Sequence, residues 1–320
     1  MTRAILTLTT LAIVSPAAAL PVSLTANGLT LHGTLELPTT AAPHPVALII
    51  AGSGPTDRDG NSAALPGRND SLKLLAQHLA RHGVATVRYD KRGIGQSKTT
   101  QAEHDVTFDD FVNDAAAWIR HLRADRRFSS VSVIGHSEGS LVGMLAAQHT
   151  HVTAFVSLAG PGENLADTIL RQVRANPANP TAIVKEVEAS VAELRAGRTV
   201  QRVNPLLAPL LRPSVQPFLI SAFKHDPGRA LGQVKAPVLI AQGDQDLQVT
   251  TRDAQNLKAA HPASELLILK GVNHVLKRVG TDLVLNQRSY VDPTVPFAAE
   301  LPARVATFIK DAADKEAGKR

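Results

Sequence analysis

The 320-residue chain has no cysteine, which excludes disulfides, thiolate metal sites and cysteine nucleophiles. Its stability therefore rests on its core. Aromatic residues make up only 3%, with Trp118 the single tryptophan, so a base-stacking platform is poorly supplied. The formal net charge is +6, yet the 34 basic residues are scattered among 28 acidic ones and form no dense block. Nucleic acid is therefore not an expected partner, and the excess charge reads as a solvated face. Beyond the N-terminal segment no apolar run approaches the roughly 20 residues a membrane-spanning helix needs. Internal repeats are absent too. A content of 44% hydrophobic and 19% charged residues belongs to a folded globular chain, long enough for one large core or for one core with an accessory lobe.

The N-terminus has the pattern of a secretory signal. Arg3 is its only charge, an apolar run from Ala4 to Val14 follows, and Ser15-Pro16 breaks it before the small residues Ala17-Ala18-Ala19. A signal peptide over residues 1–19 is expected, with export to a periplasmic or extracellular location.

Downstream, Val22 to Ala26 and Leu29 to Leu37 alternate apolar and polar residues around Asn27-Gly28, a hairpin signature. Short apolar runs then recur at Val46–Ile50, Val84–Tyr89, Val131–Ile134, Val152–Leu158, Val238–Ala241 and Leu266–Leu269. Each has the length of a parallel strand buried on both faces. Helical patterns alternate with them: Ser71 to His82, and the segment behind the capping-box-like Thr107-Phe-Asp-Asp110 with its stripe of Phe111, Trp118, Ile119 and Leu122. The alternation specifies an α/β fold, a mostly parallel sheet covered by helices on both faces. Pro161 to Leu231 offers no strand, only helical pieces among prolines. The expected organisation is thus a core of residues 20–160 and 232–320 with a helical cap inserted over 161–231. A final helix near Leu301 to Ala313 is expected, with a frayed tail from Lys315.

The chemistry concentrates at Gly135-His136-Ser137-Glu138-Gly139, a G-x-S-x-G directly after an apolar strand and before a helical run. That context puts Ser137 on a sharp strand-to-helix turn, with the helix N-terminus behind it as an anion site. A hydroxyl is a weak nucleophile and needs a base, which in turn needs an orienting acid. Gly243-Asp244-Gln245-Asp246 follows a late strand, and His274 alone among the 12 histidines lies just beyond the last one. Asp244 and Asp246 both qualify as the acid. Reaching Nδ1 of His274 across a loop favours Asp246, leaving Asp244 as a turn cap. The backbone N–H of Glu138 and one from the glycine-rich Gly52-Ser53-Gly54, that of Ser53, are the expected oxyanion donors, although the loop also reads as a plain Gly-Pro turn. His78 and His82 stand at i, i+4 with no third ligand evident, so no metal is assigned. Gly93-Ile94-Gly95 lacks the third glycine of a dinucleotide loop, and no organic cofactor is implied.

Five ordered motifs carry a family resemblance: Gly52 to Asn61, Arg88-Tyr-Asp-Lys-Arg-Gly-Ile-Gly-Gln-Ser97, the Ser137 elbow, Gly243 to Val249, and Asn273 to Lys277. The chain resembles the α/β-hydrolase superfamily, and within it bacterial carboxylesterases with a serine-aminopeptidase-type domain. The family pattern Gly-x-x-Asp-x-x-Val falls on Gly243, Asp246 and Val249, which agrees with Asp246 as the acid. Relatives often carry a second glycine where this chain has Ser140. The resemblance implies a carboxylesterase for small acyl esters, with aminopeptidase and thioesterase activity as chemical neighbours. A non-catalytic envelope ligand-binding protein is the rival from another class. An aspartate-nucleophile dehalogenase or epoxide hydrolase is opposed by the serine at the elbow.

Overall fold

Asn27 and Gly28, at φ of 52° and 77°, close the hairpin that opens the fold. In a computed structural model, which describes residues 18–319, its arms are β1 (Ala18–Ala26) and β2 (Leu29–Leu37). The expected leader falls outside the described residues as far as residue 17, while Ala18 and Ala19 begin β1. Then follow β3 (His44–Ile50), α1 (Ser71–Arg81), β4 (Ala85–Tyr89), α2 (Phe108–Ala124), β5 (Phe128–His136), α3 (Glu138–His149) and β6 (Phe155–Leu158). The next strand, β7 (Val238–Gly243), comes only after α4 (Leu165–Ala175), α5 (Thr181–Arg195), α6 (Ala208–Leu211), α7 (Gln216–Ala222) and α8 (Pro227–Gly232). The chain finishes with α9 (Thr251–Ala260), β8 (Glu265–Leu269), α10 (Leu283–Arg288) and α11 (Glu300–Ala317).

The strands form one eight-stranded sheet in the order β1-β2-β4-β3-β5-β6-β7-β8. Pairing is antiparallel for β1–β2 and β2–β4 and parallel elsewhere. Because the parallel strands β3 to β8 run the same way, their C-terminal ends share one edge, where ligands of open α/β sheets bind. On one face α2, α3, α8 and α9 bury Trp118, Phe155 and Leu257; on the other α1 and α11 bury Leu75, Val156 and Ile309. Each such large side chain, fully buried, stabilises the fold by about 1.5–3 kcal/mol. The α2 cap forms as its sequence specifies: Asp110 N donates to Thr107 Oγ1 and Thr107 N to Asp110 Oδ2.

Two expectations need correction. The run Leu266–Leu269 is not buried on both faces, because β8 is the sheet edge and leaves Leu266 and Ile268 37% and 39% exposed. The last helix does not fray at Lys315 but runs to Ala317, its final turn pinned where Glu316 accepts from Thr153 Oγ1 (2.7 Å) and pairs with His151. In the helical segment Leu207, Leu211 and Leu219 pack with Val187 and Leu194 into a core of their own. Among the described residues no helix is long and apolar enough to cross a membrane.

Candidate active site

Ser137 joins β5 to α3 with φ 54° and ψ −126°, a conformation that costs a non-glycine residue on the order of 1–3 kcal/mol. Its surroundings enforce that turn. Ser137 N donates to Leu158 O at 2.9 Å, and Ser140 N returns to Ser137 O at 2.9 Å. A methyl group on Gly135 would overlap Gly139 O, and one on Gly139 would overlap Ile50 O, so both elbow glycines are required by close approach of backbone. Ser140, the departure from the family pattern, is fully buried and donates to Ser157 Oγ on β6 at 2.7 Å, so the helix still lies close to the sheet.

Asp246 and His274, the residues expected as acid and base, follow the neighbouring strands β7 and β8. His274 Nδ1 lies 2.7 Å from Asp246 Oδ2, both side chains being almost wholly buried. Gln242 Nε2 donates to the same oxygen at 3.1 Å, and Gln248 N and Val249 N donate to Asp246 Oδ1 at 2.8 and 2.9 Å. Burial alone would push the Asp246 carboxyl up. The adjacent His274 and these donors outweigh it and hold the group below the usual carboxylate range. Asp246 therefore stays ionised at neutral pH and fixes the Nδ1–H tautomer of His274. Asp244 turns away, its Oδ1 accepting from Gly271 N at 2.7 Å.

His136, inside the elbow motif, has a role the motif alone did not signal. Its Nε2 lies 2.8 Å from the carbonyl of His274; a carbonyl only accepts, so Nε2 carries the proton. The two rings are 4.9 Å apart between centroids. Burial, and then the neighbouring His274, push the His136 imidazole down to about 4, so it is neutral at neutral pH and adds no charge beside the base. Asn273 ties the same loop inward through Asn286 Oδ1 (2.9 Å) and Ser289 Oγ (2.7 Å).

Ser137, Ser53 and Glu138 line one cavity of about 90 Å³. Among the described residues, the N–H groups of Ser53 and Glu138 meet no protein acceptor, and neither Ser137 Oγ nor His274 Nε2 has a hydrogen-bond partner. Phe108 and Leu141 supply apolar wall on the sheet side; Pro161, Leu165, Thr168 and Pro227 come from the helical segment above. Glu163 also reaches the cavity, but Arg171 Nε holds it at 2.5 Å. Beneath the Ser53 loop Lys91 is buried, its Nζ donating to Gly52 O and, at 3.1 Å, to Gly54 O. Glu138 Oε1 is 3.9 Å from that ammonium. Burial pushes Lys91 down and Glu138 up, each opposed by the other's charge.

The other motif residues are framework. Arg58 pairs with Asp90 at 2.8 Å, Arg92 with Asp114 at 2.7 Å, and Arg88 with Asp59 at 2.9 Å. Asp57 accepts from Asp59 N and Asn61 N, both at 2.9 Å. None of Asp57, Arg58 and Asp59 lines the Ser137 cavity. His78 stacks on Phe297, with ring centroids 5.6 Å apart.

The family model for serine aminopeptidase, S33, matches residues 66–277. Esterase EstD of Thermotoga maritima is 24% identical over 269 residues, which cover 79% of this chain. They cover only 59% of EstD, so the chain spans less than two thirds of that relative's length. Among solved structures, Est1E from Butyrivibrio proteoclasticus superposes with a TM-score of 0.58 at 17% identity, covering 91% of this chain and 98% of its own. The alpha/beta hydrolase GrgF from a Penicillium species gives 0.60 at 20% identity, over 93% and 99%. Likeness at this level establishes the α/β-hydrolase fold.

Proposed function

The chain belongs to the serine aminopeptidase S33 family, and from that premise we propose that it is a carboxylesterase acting on small acyl esters. One observation carries the proposal. Ser137, on its strained turn, shares a cavity with the two acceptor-free N–H groups of Ser53 and Glu138, while Asp246 holds the Nδ1 side of His274.

In the proposed reaction His274 Nε2 takes the Ser137 hydroxyl proton as Oγ attacks the ester carbonyl. Charge builds on the former carbonyl oxygen, and the Ser53 and Glu138 N–H groups receive it, assisted by the positive end of α3. His274 then delivers its proton to the departing alcohol. Water, deprotonated in turn by His274, attacks the acyl-enzyme, and His274 returns the proton to Ser137 Oγ as the acyl–Oγ bond breaks and the acid leaves. No step requires a metal or an organic cofactor.

The cavity of about 90 Å³ suits a short acyl group. A separate feature favours an ester over an aminoacyl amide. The carboxylates that could receive a substrate ammonium are already engaged: Glu163 by Arg171, whose other arm reaches Asp253 at 3.2 Å, and Glu138 by Lys91. The esterase names of EstD and Est1E point the same way. The helical residues 161–231 are proposed as a cap over the cavity. Export is proposed from Arg3, the apolar run Ala4–Val14 and Ala17 to Ala19; cleavage after Ala19 leaves Leu20 to Ala26 to pair with β2.

A substrate panel tests the reading: aryl esters of graded acyl length beside aminoacyl amides and acyl-thioesters. Fastest turnover of acetyl or propionyl esters is expected. Preference for aminoacyl amides moves the protein to the peptidase side of its family. A folded chain that neither turns over any substrate nor labels with a fluorophosphonate is instead a non-catalytic binder.

A further inference from the structure

Lys91 follows β4, yet its ammonium lies beneath a loop that follows β3. It is 3% exposed, with Nζ against Gly52 O and Gly54 O and 5.4 Å from the centre of the Phe111 ring. The position of the first carbonyl matters. Gly52 C=O and Ser53 N–H are two ends of one peptide unit, which is planar and trans. In such a unit the C=O and N–H vectors point in opposite directions. A cation that holds Gly52 O therefore aims Ser53 N–H away from itself, and Ser53 belongs to the wall of the cavity it shares with Ser137.

The same contact acts electronically. Hydrogen bonds polarise one another along a chain, so an ammonium on the carbonyl makes the attached N–H a stronger donor. Gly54 O, held from the same point, keeps the loop from rotating about Ser53. Glu138 Oε1, 3.9 Å from Nζ, belongs to the residue that supplies the other free N–H. One buried cation thus connects the carriers of both donors.

We infer that Lys91 is a positioning residue for oxyanion binding, orienting and polarising the Gly52–Ser53 peptide for the transition state. The inference rests on the esterase reading and deepens it. A purely structural lysine, pinning one loop to another, would contribute to folding but not selectively to charge stabilisation. The two roles separate in kinetics, because loss of an interaction made only with the developing oxyanion lowers kcat and leaves KM.

The test uses the whole chain, p-nitrophenyl acetate as substrate and an aryl trifluoromethyl ketone as inhibitor. Ser137 adds to the ketone to give a hemiketal whose oxygen occupies the oxyanion position. Lys91→Met keeps an unbranched side chain of similar length and removes the donor; Lys91→Arg keeps donors for both carbonyls. Loss of a complete oxyanion donor costs about 10²- to 10³-fold, so misaiming one should lower kcat of Lys91→Met about 10- to 100-fold. KM should hardly move, ketone affinity should fall in parallel with kcat, and Lys91→Arg should recover part of both. A folded Lys91→Met with wild-type kcat, or one that loses kcat while binding the ketone undiminished, overturns the inference. So does failure of both variants to fold, which makes Lys91 a residue of the fold. An inactive, unlabelled wild-type protein instead overturns the esterase reading beneath it, and the two failures are distinct.

Discussion

Asp246 Oδ2 meets His274 Nδ1 at 2.7 Å, whereas Asp244, two residues earlier, directs its carboxylate to Gly271 N. Neighbouring acids on one loop thus have different work. Asp246→Asn places an amide where the carboxylate accepts, leaves His274 in the wrong tautomer and should lower kcat by about 10³- to 10⁴-fold. Asp244→Asn should lower stability by roughly 1 kcal/mol with a modest kinetic loss. Turnover and melting of both variants decide the matter; an inactive Asp244→Asn beside a nearly normal Asp246→Asn reverses the assignment.

Ser137 carries both the proposed nucleophile and backbone strain, and two substitutions separate them. Ser137→Ala and Ser137→Gly should each lose at least about 10³-fold in turnover. Alanine retains the cost of φ 54°, whereas glycine relieves it. The glycine variant should therefore unfold at higher denaturant than the alanine variant, a difference of about 1 kcal/mol after the added freedom of its unfolded chain. Equal midpoints would mean that the turn is unstrained. More than a tenth of wild-type turnover in either variant, on the order of a hundred times the expected residue, would remove Ser137 from the mechanism.

Much of this architecture was legible because local pattern and burial agree in it. Asn27-Gly28, the Thr107–Asp110 box and the apolar strands each specify structure within a few residues. The strand–Ser137–helix context specified the elbow in the same way. What was not legible depends on contacts between distant segments. Nothing near His136 signals that its ring meets a carbonyl 138 residues later. Lys91 belongs to a recognisable motif, but its partners lie on another strand's loop, 37 and 39 residues away. The exposure of Leu266 and Ile268 follows from β8 being the last strand in the sheet, and position in a sheet leaves no mark on a five-residue apolar run.

His136 gives the protein an acid-sensitive point separate from its carboxylates. Its imidazole is lowered from 6.5 to about 4, so between those values the unfolded chain binds a proton that the folded chain excludes. Stability from this group is complete above pH 6.5 and declines as pH falls through the window, by about 3 kcal/mol at its foot. Asp246, held below the carboxylate range, has its loss at lower pH and does not overlap. His136→Gln keeps an amide donor for the His274 carbonyl and cannot titrate. Denaturant unfolding at pH 7 and pH 4.5 should show a smaller acid loss in the variant, and parallel losses would exclude His136 as the source.

Acyl-chain length should be governed by residues that line the cavity and not by the largest apolar clusters of the helical segment. Leu165 and Thr168 on α4 face the cavity, whereas Leu210 packs within the segment's own core and Leu206 is 77% exposed. The reason is geometric. α4 is the first helix after β6, whose C-terminal Leu158 O accepts from Ser137 N, while Leu206 and Leu210 near α6 do not line the cavity. Leu165→Ala and Thr168→Ala should open space for a longer acyl group. Each buried methylene contributes about 0.8 kcal/mol, so the butyrate-to-acetate ratio of kcat/KM should rise about tenfold in Leu165→Ala. Leu206→Ala and Leu210→Ala should leave that ratio within about twofold of wild type, whatever they do to stability. A ratio that responds to Leu210 and ignores Leu165 would put the acyl site in the helical segment's own core and away from the cavity beside Ser137.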